Sequence, residues 1–134
     1  MNTLETISGI IEEYNQCSKE DVTNILLLRD RLAIGSFRLA EITGDAMTQY
    51  LRDEFNYKIE LAQSIEFHSK KFSHAASKEK AMIEKRLEKE KEIISEGYKN
   101  KLKLILNQVN EVLGAMNQRI SVAQKERYHA NKQV

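Results

Sequence analysis

Apolar residues recur at helical spacing along most of this chain, and the longest stripe lies in its final third. Its members are separated by 4, 4, 3, 4, 3, 4 and 4 positions: Ile94, Tyr98, Leu102, Ile105, Val109, Val112, Met116 and Ile120. This spacing is close to the repeat of about 3.5 residues that a coiled-coil seam shows. Nothing in the sequence stops a helix between Lys78 and the last few residues, so the pattern predicts a long C-terminal helix over residues 78–131.

The first 68 residues predict shorter helices. Leu4, Ile7, Ile11 and Tyr14 form the apolar face of a first helix, at spacings of 3, 4 and 3. Ser18, with Asp21 three positions later, is the expected N-cap of a second helix. The apolar face of that second helix is wide, which favours packing on more than one neighbour.

Two positions could interrupt the helices. Gly44, in "EITGDAM", can end one helix and Asp45 can cap the next, although a continuous helix with one tolerated glycine is nearly as well supported. Residues 69–77, where Ser69, Ser73 and Ser77 recur, lack strong periodicity. We expect a bend there, and a continuous helix remains the alternative.

Composition favours a single all-α domain. The 134 residues include no proline and five glycines, and 31% of them are charged. Tight turns and barrel corners depend on proline and glycine, so sheets are disfavoured. We therefore predict an elongated helical bundle or hairpin over residues 1–134, with N-terminal helices in 1–68 and a coiled-coil-like C-terminal helix.

The apolar stripe of the C-terminal helix needs something to cover it. A helix of some fifty residues would be about 75 Å long, more than so short a chain readily covers on both sides. Self-association is one solution, through these residues: Tyr98, Leu102, Ile105, Val109, Val112, Met116 and Ile120. The alternative is a monomeric antiparallel hairpin in which the first sixty residues cover the stripe.

The sequence carries no recognisable reaction chemistry. It lacks HExxH, CxxC, GxSxG and glycine-rich phosphate-loop motifs, and its three histidines have no metal-ligand spacing. The single cysteine, Cys17, cannot form an internal disulfide. No apolar run approaches the ~20 residues of a membrane span, and no signal-peptide core is present. We expect a soluble intracellular protein that is not an enzyme and uses no cofactor, metal or small-molecule substrate.

Charge is distributed unevenly along the chain. Residues 1–60 carry six basic and eleven acidic side chains, a net charge of −5, whereas residues 61–134 carry fifteen and nine, a net charge of +6. A basic half of this kind can attract phosphate, and a chain with two signs of charge can attract its own copies.

One stretch, "FHSKKFSHAASKEKAMIEKRLEKEKE" at residues 67–92, combines basic and aromatic residues. Single-stranded nucleic acid is bound by this combination, since cations contact phosphates and aromatic rings stack on bases. The candidate DNA-binding residues are Phe67, Lys70, Lys71, Phe72, His74, Lys78, Lys85, Arg86 and Lys89, and the three serines of residues 69–77 could donate to phosphate. The alternative is a solvated helix, in which Lys80–Glu84 and Arg86–Glu90 pair at i, i+4 and the phenylalanines are core residues.

The layout resembles the UvsY-type recombination mediator family of T-even-like bacteriophages. "YKNKLKLILNQVNEVLGAMNQRISVAQKER", residues 98–127, resembles the C-terminal helix through which that family assembles into a ring. "YLRDEFNYKIELAQSIEFH", residues 50–68, resembles its central helix more loosely. Where the family has a basic pair before an aromatic pair, this chain has Ala62 and Ser64 before Phe67 and His68, so charge for DNA would have to come from Lys70, Lys71 and the residues that follow.

The resemblance implies a homo-oligomer that binds single-stranded DNA in phage recombination or replication. Its implied partners are a recombinase and single-strand-binding protein, and its implied location is the cytoplasm of the infected bacterium. Two other interpretations remain open: a small phage inhibitor or adaptor that docks on another protein, and a structural coiled-coil component. Neither would bind DNA.

Overall fold

The computed structural model describes residues 2–132, and these form four α-helices. They are α1 (Thr3–Gln16), α2 (Val22–Ser69), α3 (His74–Glu84) and α4 (Arg86–Lys132). The all-α helical-bundle prediction is confirmed. The first residue and the last two of the predicted 1–134 domain lie outside the described residues. Within residues 2–132, no helix combines the length and apolar character that a membrane crossing requires.

The helix ends follow from local side-chain chemistry. Asn2 and Glu5 form a reciprocal capping box at the start of α1. At the start of α2 the predicted N-cap was wrong by three residues. The Asp21 carboxylate accepts a hydrogen bond from the Asn24 N–H at 3.2 Å, whereas the Ser18 hydroxyl accepts one from the Glu20 N–H within the preceding turn.

The interruptions differ from the most favoured prediction in two places. Helix α2 runs without a break through Gly44, as the alternative interpretation held. The bend predicted in residues 69–77 is present as a turn between Ser69 and His74. A further interruption at Lys85 separates α3 from α4, so the predicted helix over residues 78–131 is divided. The Lys85 N–H still bonds to the Ala81 carbonyl oxygen at 2.9 Å, so only one residue leaves helical geometry.

The chain divides into two compact units. Unit 1 contains the residues up to Ile42 and those from Lys103 onward, and unit 2 is Thr43–Leu102. Unit 1 is a three-helix bundle made by α1, the first part of α2 and the second part of α4. Its buried apolar core contains Ile7, Ile10, Tyr14, Ile25, Leu28, Leu32, Leu39, Val109, Met116 and Ile120.

Contacts at the surface of unit 1 fix the order of its helices. Helix α1 runs antiparallel to α2, because Arg31 pairs with Glu13 at 3.1 Å while Gly35 lies against Ile7. Arg119 on α4 donates two hydrogen bonds to the Lys19 carbonyl oxygen, at 2.8 and 3.3 Å. Unit 1 thereby covers much of the apolar stripe predicted to need a second copy.

Unit 2 is a helical hairpin with a polar seam. Here α2 and α4 run antiparallel, and the buried apolar residues of unit 2 are Ala46 on α2, Ala81 on α3 and Leu102 on α4. The Lys99 ammonium lies 4.2 Å from the centre of the Tyr50 ring, and Ser95 donates a hydrogen bond to Asp53. Nearer the turn, Lys85 pairs with Glu60 at 3.4 Å.

The apolar side chains of unit 2 lie mostly on its outside. Large apolar residues with at least 40% of their surface exposed are Leu51, Phe55, Ile59, Phe67, Phe72, Met82, Ile83, Leu87, Ile93, Ile94 and Tyr98. Scattered exposed apolar residues are ordinary, but large groups of them mark surfaces that bind something. Helix α3 packs at the turn end of this hairpin, where Ser77 and Ala81 are fully buried, but it leaves these apolar side chains exposed.

Candidate nucleic-acid interface

The turn between α2 and α3 brings together part of the predicted DNA-binding set. Lys70, Lys71, His74 and Lys78 are exposed, and no carboxylate pairs with the three lysines within residues 2–132. From Phe67 to Lys80 the chain carries four lysines and one glutamate, Glu79, so the local net charge is +3. We call the exposed residues Phe67, Lys70, Lys71, Phe72, His74 and Lys78 the turn cluster.

Two exposed phenylalanines accompany these lysines. Phe67 is 68% exposed and Phe72 is 45% exposed, so the alternative that both are plain core residues is wrong. The His68 ring lies between them, with its centre 5.4 Å from that of Phe67 and 6.4 Å from that of Phe72. Exposed rings next to unpaired cations offer both contacts that single-stranded nucleic acid uses.

The remaining three basic residues of the predicted set are engaged by carboxylates. Lys85 pairs with Glu60 at 3.4 Å, Arg86 with Glu90 at 3.8 Å, and Lys89 with Glu92 at 3.1 Å. These pairs neutralise much of the charge that a phosphate would meet. The structure therefore does not join all nine residues into one basic surface, and it concentrates unpaired charge in the turn cluster.

The serines predicted to contact phosphate serve the turn itself. Ser73 is the N-cap of α3 and accepts a hydrogen bond from the Ala76 N–H at 3.3 Å. Ser77 is fully buried and donates to the Phe72 carbonyl oxygen at 3.4 Å, while Ser69 donates to the Glu66 carbonyl oxygen at 2.7 Å. These hydroxyls bond to the backbone of the turn and of the helix ends beside it.

Glu84 ties the end of α2 to the end of α3 behind the turn. Its carboxylate accepts a hydrogen bond from the Ser64 hydroxyl at 2.8 Å and lies 2.7 Å from the His68 ring nitrogen Nε2. These two bonds, that of Ser64 first, lower the pKa of Glu84 below its ordinary value of 4.5. The predicted Lys80–Glu84 pair is consequently absent.

Sequence reasoning missed Lys80 as a member of this region. Its ammonium lies 4.5 Å from the centre of the Phe72 ring, in a cation–π contact. In the solvated-helix alternative this lysine pairs with Glu84 at i, i+4; both residues do lie in α3, but the Glu84 carboxylate bonds to Ser64 and His68 instead. Only the turn after Ser69 brings Lys80 and Phe72, eight positions apart, into contact.

The groove beside the turn is less suited to phosphate. It has a volume of about 210 Å³, and its lining includes Glu60, Glu84 and Lys85. Two carboxylates there repel an anion, which leaves the outer surface of the turn cluster as the candidate interface. Within residues 2–132, no three His, Cys, Asp or Glu side chains are grouped so that they could hold a metal ion.

The residues predicted to mediate self-association differ in exposure. Leu102, Val109 and Met116 are fully buried within the chain and Ile120 is 5% exposed, whereas Tyr98 is half exposed. Ile105 and Val112 are partly buried. A second copy could reach the four buried side chains only if the fold opened, so a surface for self-association must use other residues.

No protein-family model, no curated protein and no solved structure matches this chain.

Proposed function

We propose that this protein binds single-stranded DNA through the turn cluster, as a self-associating accessory protein of phage recombination or replication. In this role it catalyses no reaction. It assists the loading of a recombinase onto strands covered by single-strand-binding protein, in the cytoplasm of the infected host. The observation that carries the proposal is the juxtaposition of two exposed phenylalanines with three unpaired lysines.

The contacts of the cluster favour single strands over duplex DNA. Lys70, Lys71 and Lys78 supply sequence-independent attraction to phosphates. The exposed rings of Phe67 and Phe72 can stack on bases only where those bases are not already stacked in a duplex. A single turn offers few contacts, so several linked protomers would be needed for tight binding.

The test is a titration of fluorescent oligo-dT, followed by anisotropy at several salt concentrations. For single strands, the slope of log affinity against log salt changes by about 0.7 for each phosphate contact. For the variant K70A/K71A/K78A, the slope should therefore be shallower by about 2 for each protomer bound. Its matched control is R38A/R52A/K103A, which removes three exposed positive charges outside the cluster and should keep most of the wild-type slope.

A phenylalanine variant separates stacking from charge in the same titration. Phe67→Ala should weaken binding by about 1–3 kcal/mol at every salt concentration and leave the slope unchanged. Equal binding of wild type and K70A/K71A/K78A, or no binding of oligo-dT by wild type at low salt, would contradict the proposal.

A second function, docking on another protein without DNA, is favoured by a different observation. Leu51, Phe55 and Ile59 recur at i, i+4 on α2, and each is more than 40% exposed. Such a face suits a helix-in-groove contact with a protein partner. Failure of the oligo-dT titration would favour this alternative.

A further inference from the structure

The outer face of α4 in unit 2 has a second seam pattern. Leu87, Glu90, Ile94, Gly97 and Lys101 follow one another at spacings of 3, 4, 3 and 4. Each lies two positions from a residue that is buried or contacts α2, namely Lys89, Glu92, Ser95 or Lys99, and so is about half a turn away from α2. Leu87 is 65% exposed and Ile94 is 71% exposed. We call these five residues the outer stripe.

Gly97 has no packing role inside the chain. A Cβ added there would meet nothing within 4 Å. Glycine inside a helix costs about 1 kcal/mol relative to alanine. Close packing of another helix at Gly97 would offset this loss of helix propensity, because a side chain of that helix could contact the backbone where glycine has no side chain.

The order of the residues in the outer stripe is self-complementary when two copies run antiparallel. With the two-fold axis between residues 95 and 96, Ile94 of one copy faces Gly97 of the other. In the same alignment Glu90 faces Lys101, and the symmetry repeats both pairs. The apolar side chain thus meets the gap that the glycine leaves, and opposite charges meet on either side of it.

A parallel alignment in register lacks these matches. It would place Glu90 on Glu90 and Lys101 on Lys101, and like charges facing each other in a helical seam are unfavourable. Within its own chain Glu90 has only an exposed contact with Arg86, at 3.8 Å, and Lys101 has no ion pair in residues 2–132. Both side chains are therefore available to a second copy.

We infer that two copies of this protein associate through the outer stripe of α4, packed antiparallel, with Ile94 over Gly97 and Glu90 paired with Lys101. The inference rests on the self-association in the proposed function and names its surface. It does not use the buried residues Val109 and Met116.

Charge reversal tests this pairing directly by sedimentation velocity. Glu90→Lys and Lys101→Glu should each weaken self-association by at least about tenfold, because each places like charges opposite each other. The double variant E90K/K101E should restore wild-type association, since its charges are exchanged and remain complementary. An equimolar mixture of the two single variants should also associate, as a heterodimer with two opposite-charge pairs.

The control is Lys103→Glu, which makes the same charge change on α4 outside the outer stripe. It should associate like wild type, and circular dichroism should show all variants to be equally helical. Unchanged association of both single variants would overturn the inference. So would a mixture of the single variants that associates more tightly than wild type, because only parallel pairing gives the mixture two opposite-charge pairs where wild type has two like-charge pairs.

The same samples separate this inference from the proposed function. A wild-type protein that sediments as a single chain at every concentration overturns the pairing, whatever its DNA binding. A single-charge variant that dissociates and still binds oligo-dT weakly and with salt dependence supports both claims. Normal pairing with no binding to oligo-dT leaves the outer stripe standing and contradicts the DNA function alone.

Discussion

At the scale of single residues, the glycines of this chain differ in what surrounds them. Gly35 on α2 is buried against α1, and an added Cβ would lie 2.9 Å from Cγ1 of Ile7. Gly114 on α4 is exposed, with nothing within 4 Å of an added Cβ. The first glycine permits close packing of two helices, whereas the second only lowers helix propensity.

Alanine substitution should separate these two cases. Gly114→Ala should stabilise the protein by about 0.5–1 kcal/mol, through helix propensity and a less flexible unfolded chain. Gly35→Ala gains the same term but forces Ile7 to move in a packed core, a change that typically costs about 1–3 kcal/mol. Urea unfolding should therefore find G35A less stable than G114A by about 1–3 kcal/mol. Equal stability of the two would show that α1 does not pack on Gly35.

The turn cluster shows how far single-residue reasoning from sequence can go. The composition of residues 67–78 was sufficient to propose lysines and aromatic rings as a site, and the structure exposes them. The engagement of Lys85 was not predictable in the same way. Its partner on α2, Glu60, is distant in sequence, so finding it requires the register of the hairpin.

At the scale of helices, hydrophobic periodicity predicted which segments are helical, but it did not predict which face of α4 packs on α2. Helix α4 carries one seam pattern that includes Ser95, Lys99 and Leu102, and another on the opposite side that includes Ile94 and Lys101. Hydrophobicity alone favours burial of Ile94. In unit 2 the polar pattern is the one that packs, because Tyr50 and Asp53 on α2 meet Lys99 and Ser95 on α4.

Gly44 and Asp21 illustrate the same limit on predicting helix ends. Gly44 has nothing within 4 Å of an added Cβ and lies on an exposed face. Its cost of about 1 kcal/mol is small beside the packing of a helix of 48 residues. Ser18 and Asp21 are both good caps, and the sequence alone does not say which of them precedes the first helical residue.

The link between α2 and α3 should make stability depend on pH. Because the Ser64 and His68 bonds lower the pKa of Glu84, its carboxylate adds stability above the ordinary value of 4.5 that is lost as pH falls through the lowered pKa. Glu84→Gln should remove this contribution. The melting temperature of wild type should exceed that of E84Q at pH 7, and the difference should shrink below pH 4.5.

Ser95→Ala, which removes a hydrogen bond to Asp53 away from Glu84, is the control for that comparison. S95A should be less stable than wild type at pH 7. Its stability should still fall with acid as that of wild type does, because Glu84 and its partners are intact. A constant difference between wild type and E84Q over the whole acid range would contradict the role assigned to Glu84.

At the scale of the whole molecule, weak contacts become effective only when protomers are linked. One turn cluster supplies three unpaired lysines and two rings. Linking two such sites can raise overall affinity by about 10²–10⁴ without any new contact, provided that one strand can reach both. Self-association through the outer stripe would supply that link.

The most direct test of this account is sedimentation velocity of fluorescent oligo-dT with increasing amounts of protein, using a strand long enough for several protomers. The account predicts that wild type carries the strand in a complex of two or more protomers. It also predicts that E90K carries the strand only at much higher concentration and that K70A/K71A/K78A self-associates but leaves the strand free. Sedimentation of wild type as a single chain beside unbound oligo-dT would contradict it.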